Sequence, residues 1–171
     1  MKVVNLFGAP SDGKSTTAAG LFHYMKIRRH EVELAMEYPK ELVWEKNFHA
    51  MRDQLMILAM QNKRLERLID NVDFAIAECP LLMGIAYALP ETPKSFNPFC
   101  SDIFHSFDNI NFLMKRVRPY NPNGRRQSEA SAAQKRLEII EVMRKYKVKY
   151  IEVPSDDKAP EVIYNHIMKL K

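Results

Sequence analysis

The sequence predicts an α/β fold, a three-layer αβα sandwich built around a five-stranded parallel sheet. Short apolar runs suited to strands buried on both faces alternate with longer stretches of helical periodicity. The first apolar run stops at a glycine-bearing turn, and no repeat, heptad array or low-complexity tract points to another architecture.

Lys2 to Phe7, rich in Val and Leu, reads as a strand that ends at Gly8. From Ser15 to about Arg29 the periodicity is helical, with Ala18, Leu21, Phe22 and Met25 on one face. Glu31 to Met36 fits a second strand. After a short polar stretch, Phe48 to Ile69 reads as one long helix whose apolar stripe is Phe48, Met51, Leu55, Leu58, Leu65 and Leu68. Val72 to Ala77 and Ile110 to Val117 supply the third and fourth strands. Pro90, Pro93 and Pro98 punctuate the region between them, leaving room for a short helix near Ser101 to Phe107. Ser128 is a good N-cap for a helix to about Tyr146, with Ala133, Leu137, Ile140 and Met143 facing inward. Lys149 to Val153 makes the fifth strand, and Pro160 opens a last helix. Parallel strands joined by right-handed crossovers gather ligands at their carboxyl ends.

At 171 residues and 46% hydrophobic content, one well-filled core is expected, so residues 1–171 are read as a single domain. Within it, about 115–128 reads as a lid and about 85–107 as an irregular substrate-side insertion. No run has the length of a membrane span, and Met1-Lys2 leads directly into a strand; a soluble, cytoplasmic protein is the expectation. Cys79 and Cys100 lack zinc-ligand spacing and are too few for a disulfide framework, which suggests reduced thiols. The net charge of +5 suits anionic partners. Its distribution is more telling. Lys115, Arg116, Arg118, Arg125 and Arg126 lie in one stretch that contains no acid.

Gly8-Ala9-Pro10-Ser11-Asp12-Gly13-Lys14-Ser15 matches G-x-x-x-x-G-K-[ST] between a strand and an amphipathic helix, the context that gives this motif its meaning. Glycines let successive N–H groups turn onto phosphate oxygens, assisted by the helix N-terminus. Gly8, Ser11, Asp12, Gly13, Lys14, Ser15 and Thr16 are therefore candidates for binding a nucleoside triphosphate, ATP or GTP. Lys14 would reach the β- and γ-phosphates, and the Ser15 hydroxyl would ligate Mg²⁺.

Two acids follow predicted strands at the same sheet edge. Glu37 begins a loop able to face an acceptor and is the candidate general base; Glu78 follows an apolar strand, as the Walker B acid does, and is a candidate for ordering Mg²⁺. Trp44, Gln54 and Gln61 are candidates to line a base pocket, an aromatic face for stacking and amides for hydrogen bonding. The turn-rich segment from Lys115 to Arg126 suits a lid, with Arg125 and Arg126 as in-cis arginine fingers and Arg116 and Arg118 nearer the adenine or phosphates. A solvated basic loop or a nucleic-acid contact is the competing reading.

These residues resemble those of small P-loop NTPase-fold kinases acting on nucleosides, nucleotides and related hydroxyl compounds. In deoxynucleoside kinases a glutamate after strand two is followed closely by a tryptophan, as Glu37 and Trp44 stand here; the family also has an acid after strand three, like Glu78, and an arginine-bearing lid, like Arg116 to Arg126. Nicotinamide-riboside kinase domains are similar in layout. The runs Glu37-Tyr38-Pro39-Lys40-Glu41-Leu42-Val43-Trp44-Glu45, Glu78-Cys79-Pro80-Leu81-Leu82 and Tyr120-Asn121-Pro122-Asn123-Gly124-Arg125 look like bacteriophage P-loop proteins labelled nucleotide kinases or ATPases. Some relatives of these are thought to phosphorylate 5-hydroxymethyluracil in phage DNA, and a phage origin would mean host cytoplasm. Deoxynucleoside kinases usually place arginine after the strand-three acid, where this chain has Cys79.

The resemblance implies an Mg²⁺-dependent kinase moving the γ-phosphoryl of ATP or GTP to a nucleoside or nucleotide. The alternative is a hydroxymethylated pyrimidine in DNA, with Phe96, Phe99, Phe104 and Phe107 holding a flipped base. A nucleotide-dependent binding protein or slow ATPase is the third reading; the lack of an N-K-x-D motif argues against a GTPase switch. No membrane partner is expected, and a homo-oligomer is compatible with the sequence.

Overall fold

The computed structural model describes residues 1–123 and 127–170. Five strands, β1 (Lys2–Phe7), β2 (Val32–Ala35), β3 (Phe74–Ala77), β4 (Asp108–Lys115) and β5 (Ile151–Pro154), form one sheet in the order β2-β3-β1-β4-β5. All pairings are parallel, with Val3 opposite Ala75 on one side of β1 and Asn109 on the other. The expected parallel sheet is thus observed.

The period of two along β1 sends side chains to separate cores. Val3 and Phe7 join Leu58, Leu65, Phe96, Phe104 and Met143, which come from α3 (Gln54–Glu66), α5 (Phe96–His105) and α6 (Glu129–Lys145). Val4 and Leu6 join Leu21, Met25, Phe112, Ile163 and Ile167, which places α1 (Lys14–Lys26) and α7 (Ala159–Met168) on the opposite face. Each large apolar side chain removed from water in these layers contributes about 1.5–3 kcal/mol. Buried Asn5 is satisfied within the sheet, its amide donating to Asn109 at 2.7 Å and Asn111 at 3.0 Å.

Between the strands the structure corrects several expectations. The single helix expected over Phe48 to Ile69 is broken: a 3-10 turn at Ala50–Arg52 is followed by Asp53, whose carboxylate accepts from the Met56 N–H at 2.9 Å and starts α3 at Gln54. That cap turns the stripe. Gln54, Ile57, Leu58, Gln61 and Leu65 are buried, whereas Phe48 and Leu55 are exposed. The stretch read as polar connection holds α2 (Tyr38–Trp44), with Pro39 in its first turn, where a missing N–H costs nothing. The proline-rich region contains α4 (Met83–Tyr87) and then α5, which begins earlier than expected because Phe96, Cys100 and Phe104 recur every four residues on its buried face. Ser128 caps α6 as expected, but Ala132, Ile139 and Met143 face inward while Ala133 and Leu137 are exposed. Among the described residues no helix is long and apolar enough to cross a membrane.

Candidate active site

At the carboxyl end of β1 the chain turns through the glycine-bearing loop into α1. Asp12 shapes the turn: its carboxylate accepts from the Ala9 N–H at 2.8 Å, while its own N–H donates to the Ala9 carbonyl at 3.2 Å. Ser11 and Gly13 have positive φ, 69° and 85°. A Cβ on Gly13 would lie 2.5 Å from the Ser155 Cβ, so no larger residue fits. Lys14 folds back over the loop, its ammonium donating to the Gly8 and Ala9 carbonyls at 2.9 and 3.1 Å. No side chain caps the N-terminus of α1 and no acid lies in its first turn, so its N–H groups and dipole remain available to an anion.

Ser11, Gly13, Lys14, Ser15 and Thr16 open onto a cavity of about 370 Å³. Asp12 does not. Its buried carboxylate points to the back of the loop, where the Arg136 guanidinium lies 3.0 Å away. Arg136 also donates to the Met114 carbonyl and pairs with Glu152 at 2.8 Å, tying α6 to the loop and to the ends of β4 and β5.

The far wall of the cavity comes from α2, α3, α4 and the end of β3. Glu37, the N-cap of α2, lines it, as do Trp44, Gln54 and Tyr87. Trp44 is 62% exposed and thus belongs to no core. Gln54 is buried and donates to the Met51 carbonyl at 3.0 Å. Gln61 does not line the cavity: its carbonyl accepts from the Tyr38 N–H at 2.7 Å and its amide donates to the Cys79 carbonyl at 3.2 Å, joining α2 to the β3 loop. Glu78 lies behind this wall, 5% exposed, with Oε2 accepting from the Glu37 N–H at 3.4 Å. Its Oε1 is buried without a hydrogen-bond partner among the described residues. Such an oxygen bears an uncompensated desolvation cost and marks a place for a donor. Desolvation, then the charge of Glu37, pushes the Cys79 thiol well above its ordinary range, and the same causes raise the Tyr87 hydroxyl. Both stay protonated at neutral pH.

The basic segment crosses the loop. The Asn121 N–H donates to Ser11 Oγ at 3.0 Å, and Asn121, Asn123 and Gln127 line the cavity. Arg116 pairs with Glu129 at 2.8 Å and Arg118 pairs with Asp157; neither lines the cavity. Arg125 and Arg126 lie outside the described residues. Sequence reasoning missed Lys40, Tyr87 and Arg136. Lys40 stands three residues after Glu37 and was open to a helical-spacing argument; no local signal marks the other two.

A glycine-bearing loop at the end of the central strand of a five-stranded parallel sheet, followed at once by a helix, defines the P-loop NTPase class. The chain belongs to the AAA domain family, whose model matches residues 3–159. Among solved structures, that of NadR protein in complex with NAD and AMP-PNP matches with a TM-score of 0.70 at 17% identity, over 98% of this chain and 49% of NadR. That likeness is one of fold, and this chain spans about half the length of NadR. No curated protein matches the chain.

Proposed function

We propose that the protein is a kinase that transfers the γ-phosphoryl group of ATP to a hydroxyl of a nucleoside. The observation that carries this reading is the shared cavity: Lys14, Ser15 and Thr16 on one wall face the carboxylate-bearing Glu37 and the aromatic Trp44 and Tyr87 on the other. A site for hydrolysis needs no second wall of this kind. The NadR structure was obtained with AMP-PNP and NAD, which supports an adenine nucleotide as donor. Lys40 stands at the P-loop end of this wall, turned to Ser15; beyond it, from Val43 and Trp44 through Gln54 and Met83 to Tyr87, the wall holds no lysine or arginine among the described residues. With its one cation at the P-loop end, the rest of the wall favours an uncharged nucleoside over a nucleotide, whose phosphate would demand a cation.

In this reading the P-loop amides and Lys14 hold the phosphates, and Glu37 takes the proton of the acceptor hydroxyl as its oxygen bonds to the γ-phosphorus. The bond from that phosphorus to the bridging oxygen breaks, and ADP leaves. Ser15 and the Glu78 oxygen that has no partner among the described residues would hold Mg²⁺ and its ordered water, and the ion would supply neutralisation of charge on the transferring group.

Of the phenylalanines behind the flipped-base reading, Phe96 and Phe104 are core residues with at most 2% exposure, and Phe107 and the exposed Phe99 do not line the cavity, so this cavity favours the nucleoside reading. Incubation with γ-labelled ATP and panels of nucleosides, nucleotides, hydroxymethylated DNA and plain DNA tests the proposal. Label on nucleosides is expected; label released only as free phosphate would leave a slow ATPase. Glu37→Gln is expected to lower transfer at least a hundredfold while ATP affinity holds. Unchanged turnover would remove Glu37 as the base.

A further inference from the structure

The side of the cavity that carries the acceptor-facing Glu37 also delivers a cation to the P-loop. Lys40, in the first turn of α2, lines the cavity and brings its ammonium to 3.4 Å from Ser15 Oγ. It makes no ion pair with any described residue. The nearest acid along its helix, Glu41, is taken by Arg64 at 2.7 Å. Lys40 is half-buried, so its charge is only partly relieved by water.

The helix that carries it is held at its start. Gln61 accepts from the Tyr38 N–H, Arg64 donates to the Met36 carbonyl at 2.9 Å, and Glu78 accepts from the Glu37 N–H. A cation on such an element arrives at the loop mouth with little loss of conformational freedom beyond its own stem. Lys14, by contrast, is already bonded to loop carbonyls and reaches the phosphates from within the loop.

We propose that Lys40 is a second phosphate-binding residue, contacting the terminal phosphoryl group of the bound triphosphate from the acceptor side. The inference rests on the donor-site reading above. The P-loop cradles the inner phosphates through its amides, while a group entering at the Ser15 end from α2 meets the outermost phosphate. An ammonium and a metal ion do not share the Ser15 hydroxyl. The four-carbon stem therefore carries Lys40 to phosphoryl oxygens that the metal leaves open, and leaves it bonded to Ser15 when no triphosphate is present. Because Glu37 and Lys40 lie on one rigid turn, the presence of the γ-phosphoryl group would then fix the position of the base as well.

Lys40 touching only the terminal phosphate makes a distinction that Lys14 does not: it separates ATP from ADP. Calorimetric titration of the unaltered chain, Lys40→Met and Lys40→Arg with ATP and with ADP, each with Mg²⁺, tests it. Lys40→Met is expected to weaken ATP about tenfold or more, the usual loss for a charge-assisted hydrogen bond, and to change ADP less than about twofold. Lys40→Arg should recover most of the loss. Equal weakening of ATP and ADP, or none, overturns the role given to Lys40 while leaving the donor site intact. Failure of the unaltered chain to bind either nucleotide would sink the donor-site reading and this one with it.

Discussion

At the residue scale the site is organised by what burial does to individual polar atoms. Glu78 keeps one carboxylate oxygen on the backbone of Glu37 and the other without a partner among the described residues, an arrangement that costs stability unless a donor such as water completes it. Next to it Cys79 remains a thiol, adding no charge beside Glu37. Cys100 shows the same effect away from the site: fully buried and donating to the Leu81 carbonyl at 3.1 Å, its thiol is pushed up to about 12 from an ordinary 9.0. The sign of the linkage follows. The unfolded chain releases this proton first, so the contribution of Cys100 is whole below pH 9.0 and is lost as pH rises towards 12. Thermal midpoints measured across that interval should fall, and Cys100→Ala should fall less steeply than the unaltered chain. Parallel slopes would mean that Cys100 does not titrate with unfolding.

At the element scale the α2 helix decides how the proposed acceptor wall is aimed, and it was the element least legible in the sequence. Tyr38-Pro39-Lys40-Glu41 is polar and carries a proline, so periodicity does not reveal it. Its start is set from a distance by Gln61, twenty-three residues on, which bonds the Tyr38 N–H and the Cys79 carbonyl together. The stripe of α3 was misread for a related reason: Asp53 begins the helix afresh, and the buried face includes two glutamines that a hydrophobic count passes over. By contrast β1, the P-loop and α1 were legible because strand, turn and helix follow one another within a single local pattern. Gln61 is thus assigned to positioning rather than base recognition, and Gln61→Leu tests this. Two backbone groups lose a partner, and about 2 kcal/mol of stability is expected to go. Transfer should fall with the affinity for ADP unchanged, and hydrogen exchange at the Tyr38 amide should accelerate. A variant that keeps its stability but binds nucleoside poorly would return Gln61 to the base pocket.

At the scale of the whole molecule, one cation joins the helical layer to the phosphate loop. Arg136 lies 124 residues from Asp12, beyond any local pattern, yet its guanidinium holds that carboxylate, the Met114 carbonyl at the end of β4 and Glu152 on β5. The loop shape that sequence reasoning attributed to its glycines therefore also depends on α6, the helix that follows the basic segment. Removing the cation leaves Asp12, whose side chain is 6% exposed, as a buried carboxylate supported, among the described residues, only by the Ala9 N–H. Arg136→Met is expected to cost about 3 kcal/mol in urea unfolding, the lower end for breaking a buried pair by deleting one partner. Asp12→Asn removes the charge but keeps an oxygen able to accept from Ala9, so its cost should be smaller. In the double variant the stranded charge is gone, and the loss should fall short of the sum of the single losses by at least about 1 kcal/mol. Strict additivity would mean that the two residues act separately. Interaction in the cycle, together with weakened ATP binding in Arg136→Met, would establish that the P-loop is held in shape by the helix behind it.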